Sequence, residues 1–589
     1  MKCLLRKEMN HMAPLNPDFE KNVMQNIDAQ KQIIEMATGR KKAEMVLKNA
    51  TYVNVFSNEL LTCDIAVSHG IIVGMGRYSG ETEYNMAGML VCPGFIDSHI
   101  HLESSLVSPR EFVRATLPHG TTCVVTDPHE IANVMGTDGI RYMLQATEGL
   151  PVDVRFMIPS CVPATPLDES GAELDWKAID EFYSNPRVHG LAEMMNAFGV
   201  THSDPDVLAK IAAAQLHGKR IDGHAPLLEG RDLDAYTASG VYSDHECFDL
   251  QDALRKLRRG QHIMIREGTA ARNLGALVPL LTTQYADRCM FCCDDKHPSD
   301  LLELGHIDYI CRHAIRDFGV NPIITVKAAS YQPARYLGLE KRGAVAPGYR
   351  ADFTVIDNFG SFNVQMVFKN GTLYWDHGTL LDLPEPVIDP ELVKKARTSF
   401  HVKHLTAADF PDCGRKGVIG MVPGEIVSNN NGFADCADIG RDILKIAVIE
   451  RHKGTGHIGL GYIQGYGLKS GAVATSISHD SHNIIVVGTN AEDMAFAANR
   501  VVENRGGITV VKDGAVTGEV QLEIAGLMSD SPLPAVNIAL EQAKAAAHAQ
   551  GVNSGVDPFM TLSFMSLPVI PSLRLTTQGM LDVATQQYI

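Results

Sequence analysis

No stretch of the 589-residue sequence approaches the roughly 18 consecutive apolar residues that a bilayer-spanning helix needs. The amino-terminal MKCLLRKEMNHM meets charge before a signal-like apolar segment forms, so a cytoplasmic protein is expected. A basic surplus is lacking too. Lys plus Arg number 52 against 69 Asp plus Glu, a net charge of −17, whereas a protein that grips nucleic-acid phosphates needs a basic face. A disulfide framework is also lacking: most of the 12 cysteines are scattered singly through apolar segments, as at Cys92, Cys123, Cys161 and Cys247, which suits reduced thiols better. Cys289 and Cys292 spell C-x-x-C, but their odd spacing sends the side chains to opposite faces of a strand. What remains, 45% hydrophobic and 21% charged, is the composition of a soluble globular protein, and the length implies several domains.

The pattern changes along the chain. Val23, Ile27, Ile33 and Met36 have helical spacing, which predicts an N-terminal helical arm over residues 1–42. Residues 43–92 alternate β-branched and polar residues between Asn and Gly turn signals, and residues 343–378 share that character, so one small split β-sandwich domain is expected from the two pieces. Between them, over residues 93–342, eight short apolar runs recur with helical stretches such as DPDVLAKIAAAQLHG among them, which predicts an inserted (β/α)8 barrel. The Pro-rich LLDLPEPVIDPELVKK reads as a connector, and residues 400–589 as a separate α+β C-terminal domain. GTGHIG at 454–459 matches a dinucleotide fingerprint but opens no helix, so it is assigned to a turn.

Most of the eight runs end in metal-competent residues: His99 and His101 on the first, Glu193 on the fourth, His224 on the fifth, His245 on the sixth and Asp294 on the eighth. Active sites of such barrels lie where the strands end. His99 and His101, at i and i+2 on a strand, project to one side and could share a metal. Glu193 among apolar neighbours is costly unless paired or bound to metal, and between two cations it could bridge them. Asp294 could bind one metal and relay a proton; Asp295 is the competing assignment, and Asp294 is preferred because it directly ends the apolar run. Nitrogen and oxygen donors without thiolate suit Mn, Fe or Zn.

FIDSHIHLESS at 95–105, DPHE at 127–130, LAEMM at 191–195, DGHAP at 222–226, HE at 245–246 and REGTAARN at 266–273 resemble the amidohydrolase superfamily. Within it the chain is similar to the bacterial adenine deaminases, and SISHDSHN at 476–483 and IAGLMS at 524–529 extend the likeness into the C-terminal part. The resemblance implies hydrolytic deamination of adenine to hypoxanthine and ammonia by a metal-activated hydroxide at a binuclear centre, serving purine salvage. It implies two divalent ions, Mn2+ or Fe2+ before Zn2+, one held by His99, His101 and Asp294, the other by His224 and His245, with Glu193 bridging. A small-molecule purine substrate and a homo-oligomer are expected, with no nucleic acid or membrane partner.

Two departures from relatives bear on mechanism. Glu193 stands where many binuclear amidohydrolases carry a carboxylated lysine, and His224 is followed by Ala225 and Pro226 where adenosine deaminases place a ring-protonating glutamate. Glu130 is a candidate substitute for that glutamate, the alternative being a loop carboxylate capping the next helix. Arg272 and Asn273 are the first expected substrate contacts, with Glu103 and Ser104 also assigned to substrate, and Arg272 has a structural ion pair as its alternative role. Ser104 and Ser105 follow the metal histidines, with Glu103 placed to orient one of them. His479 and His482 either close over the site from the second domain or tie down that domain's own fold. Two rival functions are an amidohydrolase that cleaves a cyclic amide or N-acetyl group, and a catalytically silent scaffold, which should have lost several of the six ligands retained here.

Overall fold

The computed structural model describes residues 17–423 and 426–589; the first part of the expected N-terminal arm lies outside the described residues. Helix Pro17–Ala37 touches the rest of the protein near its end, where buried Met36 and half-buried Ile33 pack against Val46 and Val73 while Ile27 and Ile34 stay exposed.

The two expected β pieces do combine, but as one sheet of nine strands rather than a sandwich of two. The junction is Phe353–Ile356 running antiparallel to Leu90–Pro93, with Thr354 opposite Cys92. Pairing at this junction makes the first and second pieces a single ladder, and Leu47, Ile65, Val91, Phe353 and Phe368 close one core across it. Leu90–Pro93 thus belongs to this sheet, and the inserted unit begins at Phe95–Ile100. The connector contains a helix, Pro390–Arg397, packed against Thr137–Ala146.

The insertion is TIM-barrel-like. Phe95–Ile100, Thr121–Thr126, Asp153–Ile158, Val188–Met194 and Arg220–Gly223 form a parallel five-stranded sheet; Ser243–Asp244, His262–Arg266 and Cys289–Cys292 form a parallel three-stranded one. Strands covered on both faces read as continuous apolar runs, which is why each was visible in the sequence. The ladder is continuous only within each sheet. One seam is spanned by an isolated bridge between Ile100 and Asp294, in which the Asp294 amide donates to His99 O at 2.9 Å and the His101 amide to Asp294 O at 3.1 Å. At the other, the Tyr242 amide reaches Ile221 O at 3.4 Å.

Ile96, Cys123, Met157, Ala192, Met264 and Met290, from six different strands, form one inward cluster. Ile100 instead joins the outer core, although it lies four residues from Ile96. A register shift between Asp97 and Ile100 reconciles the two, and it turns His99 and His101 to the inside. On the eighth strand Met290 and Cys292 point inward. Asp294 continues that alternation just past the strand with a left-handed backbone, φ 61°.

The C-terminal domain carries an eight-stranded sheet and a small three-stranded one. Helix Ala491–Glu503 covers one face of the larger sheet through Met494 and Val501. The other face, with Ile446, Val448, Ile485 and Val510, is continuous with the outer core of the barrel. Backbone also links the two units: the Ser108 amide donates to Ser529 O at 2.8 Å and the Ser529 amide to Leu106 O at 2.9 Å.

One buried ion pair braces the barrel mouth. Asp244 and Lys256 are fully buried and in contact, and Lys256 also reaches Asp252 at 2.8 Å. Asp244 Oδ1 accepts from the amides of Ala225 at 3.1 Å and Glu246 at 3.2 Å, so a single carboxylate holds the backbone just beyond His224 and His245. Burial alone would raise its pKa; Lys256 and then His245 hold it well below the usual range. Lys256→Met leaves that charge without its cation and is expected to cost about 3–5 kcal/mol, read as a lowered urea midpoint.

Candidate metal and catalytic site

Six of the expected residues converge at the strand ends. Glu193, 4% exposed, is the hub: Oε1 lies 3.3 Å from His101 Nε2, and Oε2 lies 2.8 Å from His224 Nδ1 and 3.2 Å from His245 Nε2. Asp294 Oδ1 lies 3.3 Å from His99 Nε2 and 3.1 Å from His101 Nε2. His99 and His245 stack with ring centroids 4.2 Å apart. The donor atoms fall into overlapping groups that could each hold an ion, among them His99–His245–Asp294 and Glu193–His224–His245.

Burial opposes ionisation of Glu193, yet His245, His101 and His224 hold its carboxyl well below the usual range. His101 runs the other way: burial disfavours its charge, but Asp294 and Glu193 raise its pKa well above normal. His99 Nε2 is buried with no hydrogen-bond partner. An orphaned imidazole nitrogen facing carboxylates, in a set of nitrogen and oxygen donors without thiolate, fits a first-row divalent cation.

Five further residues reach this cluster without having been singled out in the sequence. His129, at the start of helix His129–Met135, sits with Nδ1 2.9 Å from Asp127 Oδ2 and 3.5 Å from Glu193 Oε1, and a third donor group, His101–Asp127–His129–Glu193, results. Arg266, from the seventh strand, reaches Asp294 Oδ2 at 2.7 Å and forks onto Glu246, with Nη2 3.2 Å from Oε2. The signal for Asp127, His129, Glu246 and Arg266 was available: DPHE, HE and REG are polar strand endings of the second, sixth and seventh runs. Asp480 enters from the C-terminal domain, 4.0 Å from His129 Nε2, and only tertiary structure could bring it there.

Beside the cluster lies a cavity between the barrel mouth and the C-terminal domain, lined by Glu103, Ser104, Glu130 and Asp295 on one side and by His479 and Phe564 on the other. Glu103 does not orient the serines: its Oε1 accepts from the Ile131 amide at 3.2 Å, while Ser104 and Ser105 donate to the carbonyls of His101 at 2.7 Å and Leu102 at 2.6 Å. Glu130 makes no helix cap; it is buried, with Oε1 unpartnered and 3.8 Å from His479 Nδ1. Burial, then Glu103 and Asp295, push its pKa well up. His482 Nε2 lies 3.9 Å from Glu130 Oε2, so the SISHDSHN segment meets the barrel mouth rather than serving its own domain alone.

The expected contacts of the seventh loop are not brought to the cavity. Arg272 is exposed and pairs with Asp300 at 2.9 Å, and Asn273 accepts from Arg266 Nε at 3.2 Å. The loop after strand seven meets the cavity through Ala270 instead, and Glu267 Oε2 accepts the Leu274 amide at 3.1 Å to start the next helix.

Comparison with known proteins covers nearly the whole chain. The family described as "Amidohydrolase family" matches residues 90–374, and that described as "Adenine deaminase C-terminal domain" matches residues 425–587. The adenine deaminase of Desulfatibacillum aliphaticivorans is 46% identical over 560 residues, 94% of this chain and 98% of that protein. Adenine deaminase 2 of Carboxydothermus hydrogenoformans is 44% identical over 565 residues, again 94% and 98%. Among solved structures, a beta-aspartyl dipeptidase from Fervidobacterium islandicum aligns at 15% identity with a TM-score of 0.45, covering 58% of this chain and 99% of that one.

Arg266 gives this site a test independent of turnover. Arg266→Gln keeps hydrogen-bonding capacity but removes the charge between Glu246 and Asp294, and divalent-metal affinity is expected to fall about 10–100-fold in a chelator competition titration. Unchanged affinity would show that the guanidinium does not set the position of Asp294.

Proposed function

The chain belongs to the adenine deaminase family of amidohydrolases, and from that we infer that it hydrolyses adenine with water to hypoxanthine and ammonia. The observation that carries the reading to this site is Glu193, whose two oxygens separate two sets of imidazoles, His101 on one side and His224 with His245 on the other. Such a carboxylate suits a pair of cations. His99, His101 and Asp294 would hold one, His224 and His245 the other, with Glu193 between them and manganese or iron favoured over zinc by the donor set. Bound there, two divalent ions would acidify water and stabilise negative charge developing on the purine.

The chain's own residues do the rest. Asp294 has one oxygen on His99 and His101 and the other on Arg266, so it is held in place to accept a proton from attacking water and return it to the departing amine. Glu130 reaches the cavity with an unpartnered oxygen and is assigned the proton that a ring nitrogen gains as C6 becomes tetrahedral. Glu103 and Ser104 border the same cavity and are assigned to the base itself. Asn273 and Arg272, by their placement, act on Arg266 and Asp300 rather than on substrate. A ring of eight strands closed through the Ile100–Asp294 bridge fits this assignment, because closure there seats Asp294 between the two histidines. A cytoplasmic homo-oligomer in purine salvage completes the proposal.

Ammonia release from adenine, with adenosine and a cyclic amide alongside, tests the reaction on protein loaded with manganese. Turnover of adenine alone is expected; activity confined to the amide would overturn the substrate assignment. Asp294→Asn is expected to lower the rate about 10²–10⁴-fold with the fold intact by circular dichroism. Glu193→Gln should in addition lower bound metal measured by elemental analysis, and near-normal turnover in either variant would refute the site.

A further inference from the structure

Glu130, Asp295 and His479 each stand one residue from a member of the cluster, namely His129, Asp294 and Asp480, so the cavity opens against the reacting groups on that side. Most of the rest of its lining comes from the C-terminal domain and is largely apolar, with Thr475, Asp557 and Ser563 as its polar members. Ile508, Leu540 and Met560 come from the C-terminal domain and adjoin no member of the cluster in sequence. Leu540 lies on helix Leu533–Ala549, which packs against Pro298–Glu303 just beyond His297. His479 and Phe564 stack with centroids 4.4 Å apart and planes 13° apart, giving the cavity aromatic groups suited to a planar heterocycle.

Unsatisfied polar atoms concentrate here. Glu103 Oε2, Glu130 Oε1, Asp295 Oδ1 and His297 Nδ1 are buried without partners, and all four residues line this one cavity. Buried polar atoms are almost always paired in folded proteins, so a cluster of exceptions around one cavity marks a place for a ligand that brings N–H and ring-nitrogen groups at its edge. An apolar wall opposite such a polar edge sets how long that ligand can be.

We infer that the C-terminal domain is the specificity wall of the base pocket. With the amine-bearing carbon of the purine at the cluster, the imidazole ring extends toward Leu540 and Met560, and these side chains leave no room for a substituent on N9. The inference rests on the adenine reading above and adds to it: the second domain is what confines the enzyme to a free base and turns nucleosides away.

The test uses metal-loaded full-length enzyme and compares kcat/KM for adenine and 9-methyladenine in the parent, Leu540→Ala and Met560→Ala. The parent is expected to prefer adenine by about 100-fold or more, and each truncation to narrow that ratio about 10-fold, mainly through KM for 9-methyladenine, at unchanged metal content. Leu540 is deeply buried, so Met560→Ala keeps the test decisive if the other variant folds poorly. Equal use of both substrates by the parent, or a parallel loss on both in the variants, would overturn the wall. Adenine turnover by the parent reports on the deaminase reading by itself, so the two failures are distinct.

Discussion

Glu193 is a carboxylate kept ionised away from water, and that condition dictates its surroundings. A lone charge at such a depth costs several kcal/mol, so it persists only when its partners are numerous and fixed. Here the partners are imidazoles from the first, fifth and sixth strand ends, with His129 3.5 Å away from the second. No single strand could supply them, because side chains on one strand alternate in direction and neighbouring strands lie about 4.8 Å apart. A barrel mouth solves this by bringing successive strand ends round one point. The fold is in that sense the means of surrounding one carboxylate.

Precision then depends on what stands behind these side chains. Asp97 is fully buried; its Oδ1 accepts from the amides of His99 at 3.2 Å and Cys293 at 3.1 Å, and its Oδ2 lies 3.1 Å from His306 Nε2. It therefore ties the first strand to the eighth at the seam where regular pairing is reduced to one bridge. Asp244 does the same for the backbone beyond His224 and His245, and Arg266 holds Asp294 from the side away from the histidines. Each uses a charge-assisted contact, stronger and shorter than a neutral one, to fix backbone or side chain in a low-dielectric setting. The site is thus held by a second tier of buried ions, and removing a partner there disturbs geometry before it touches chemistry.

Much of this was legible in the sequence where local pattern and tertiary role coincide. Eight apolar runs mark eight strands because parallel strands are covered on both faces, and His99-x-His101 shows two donors on one side because strand alternation has period two. The same rule, applied without the structure, hides the register shift after Asp97 that reverses direction between Ile96 and His99. His129 escaped notice because it begins a helix after its strand, where period two no longer applies. Arg272 misled because a guanidinium near a strand end looks the same whether its partner is a substrate or, as here, Asp300. The single nine-stranded sheet depends on pairing between Cys92 and Thr354, more than 250 residues apart, and no local pattern encodes such a ladder.

The manner in which the C-terminal domain is attached follows from the size of the substrate. Adenine has about ten non-hydrogen atoms, and each can contribute at most roughly 1.5 kcal/mol of binding, so little is available if one face stays in water. A barrel mouth is open above its strand ends, so loops or a neighbouring domain must close it over a small base. A tethered domain would supply a wall only part of the time, and the enclosure would be lost whenever it swung away. Here the sheet face bearing Ile446, Val448, Ile485 and Val510 is continuous with the outer barrel core, and Ser529 exchanges backbone hydrogen bonds with Leu106 and Ser108, shortly after His101. Inside the C-terminal domain, buried Arg451 ties the segment that meets the barrel to its neighbours, donating to Ala525 O at 2.9 Å and to His482 O while lying over Phe400. These contacts set the segment that carries His479 and Asp480 against His129 and Glu130, at the cavity that both domains line.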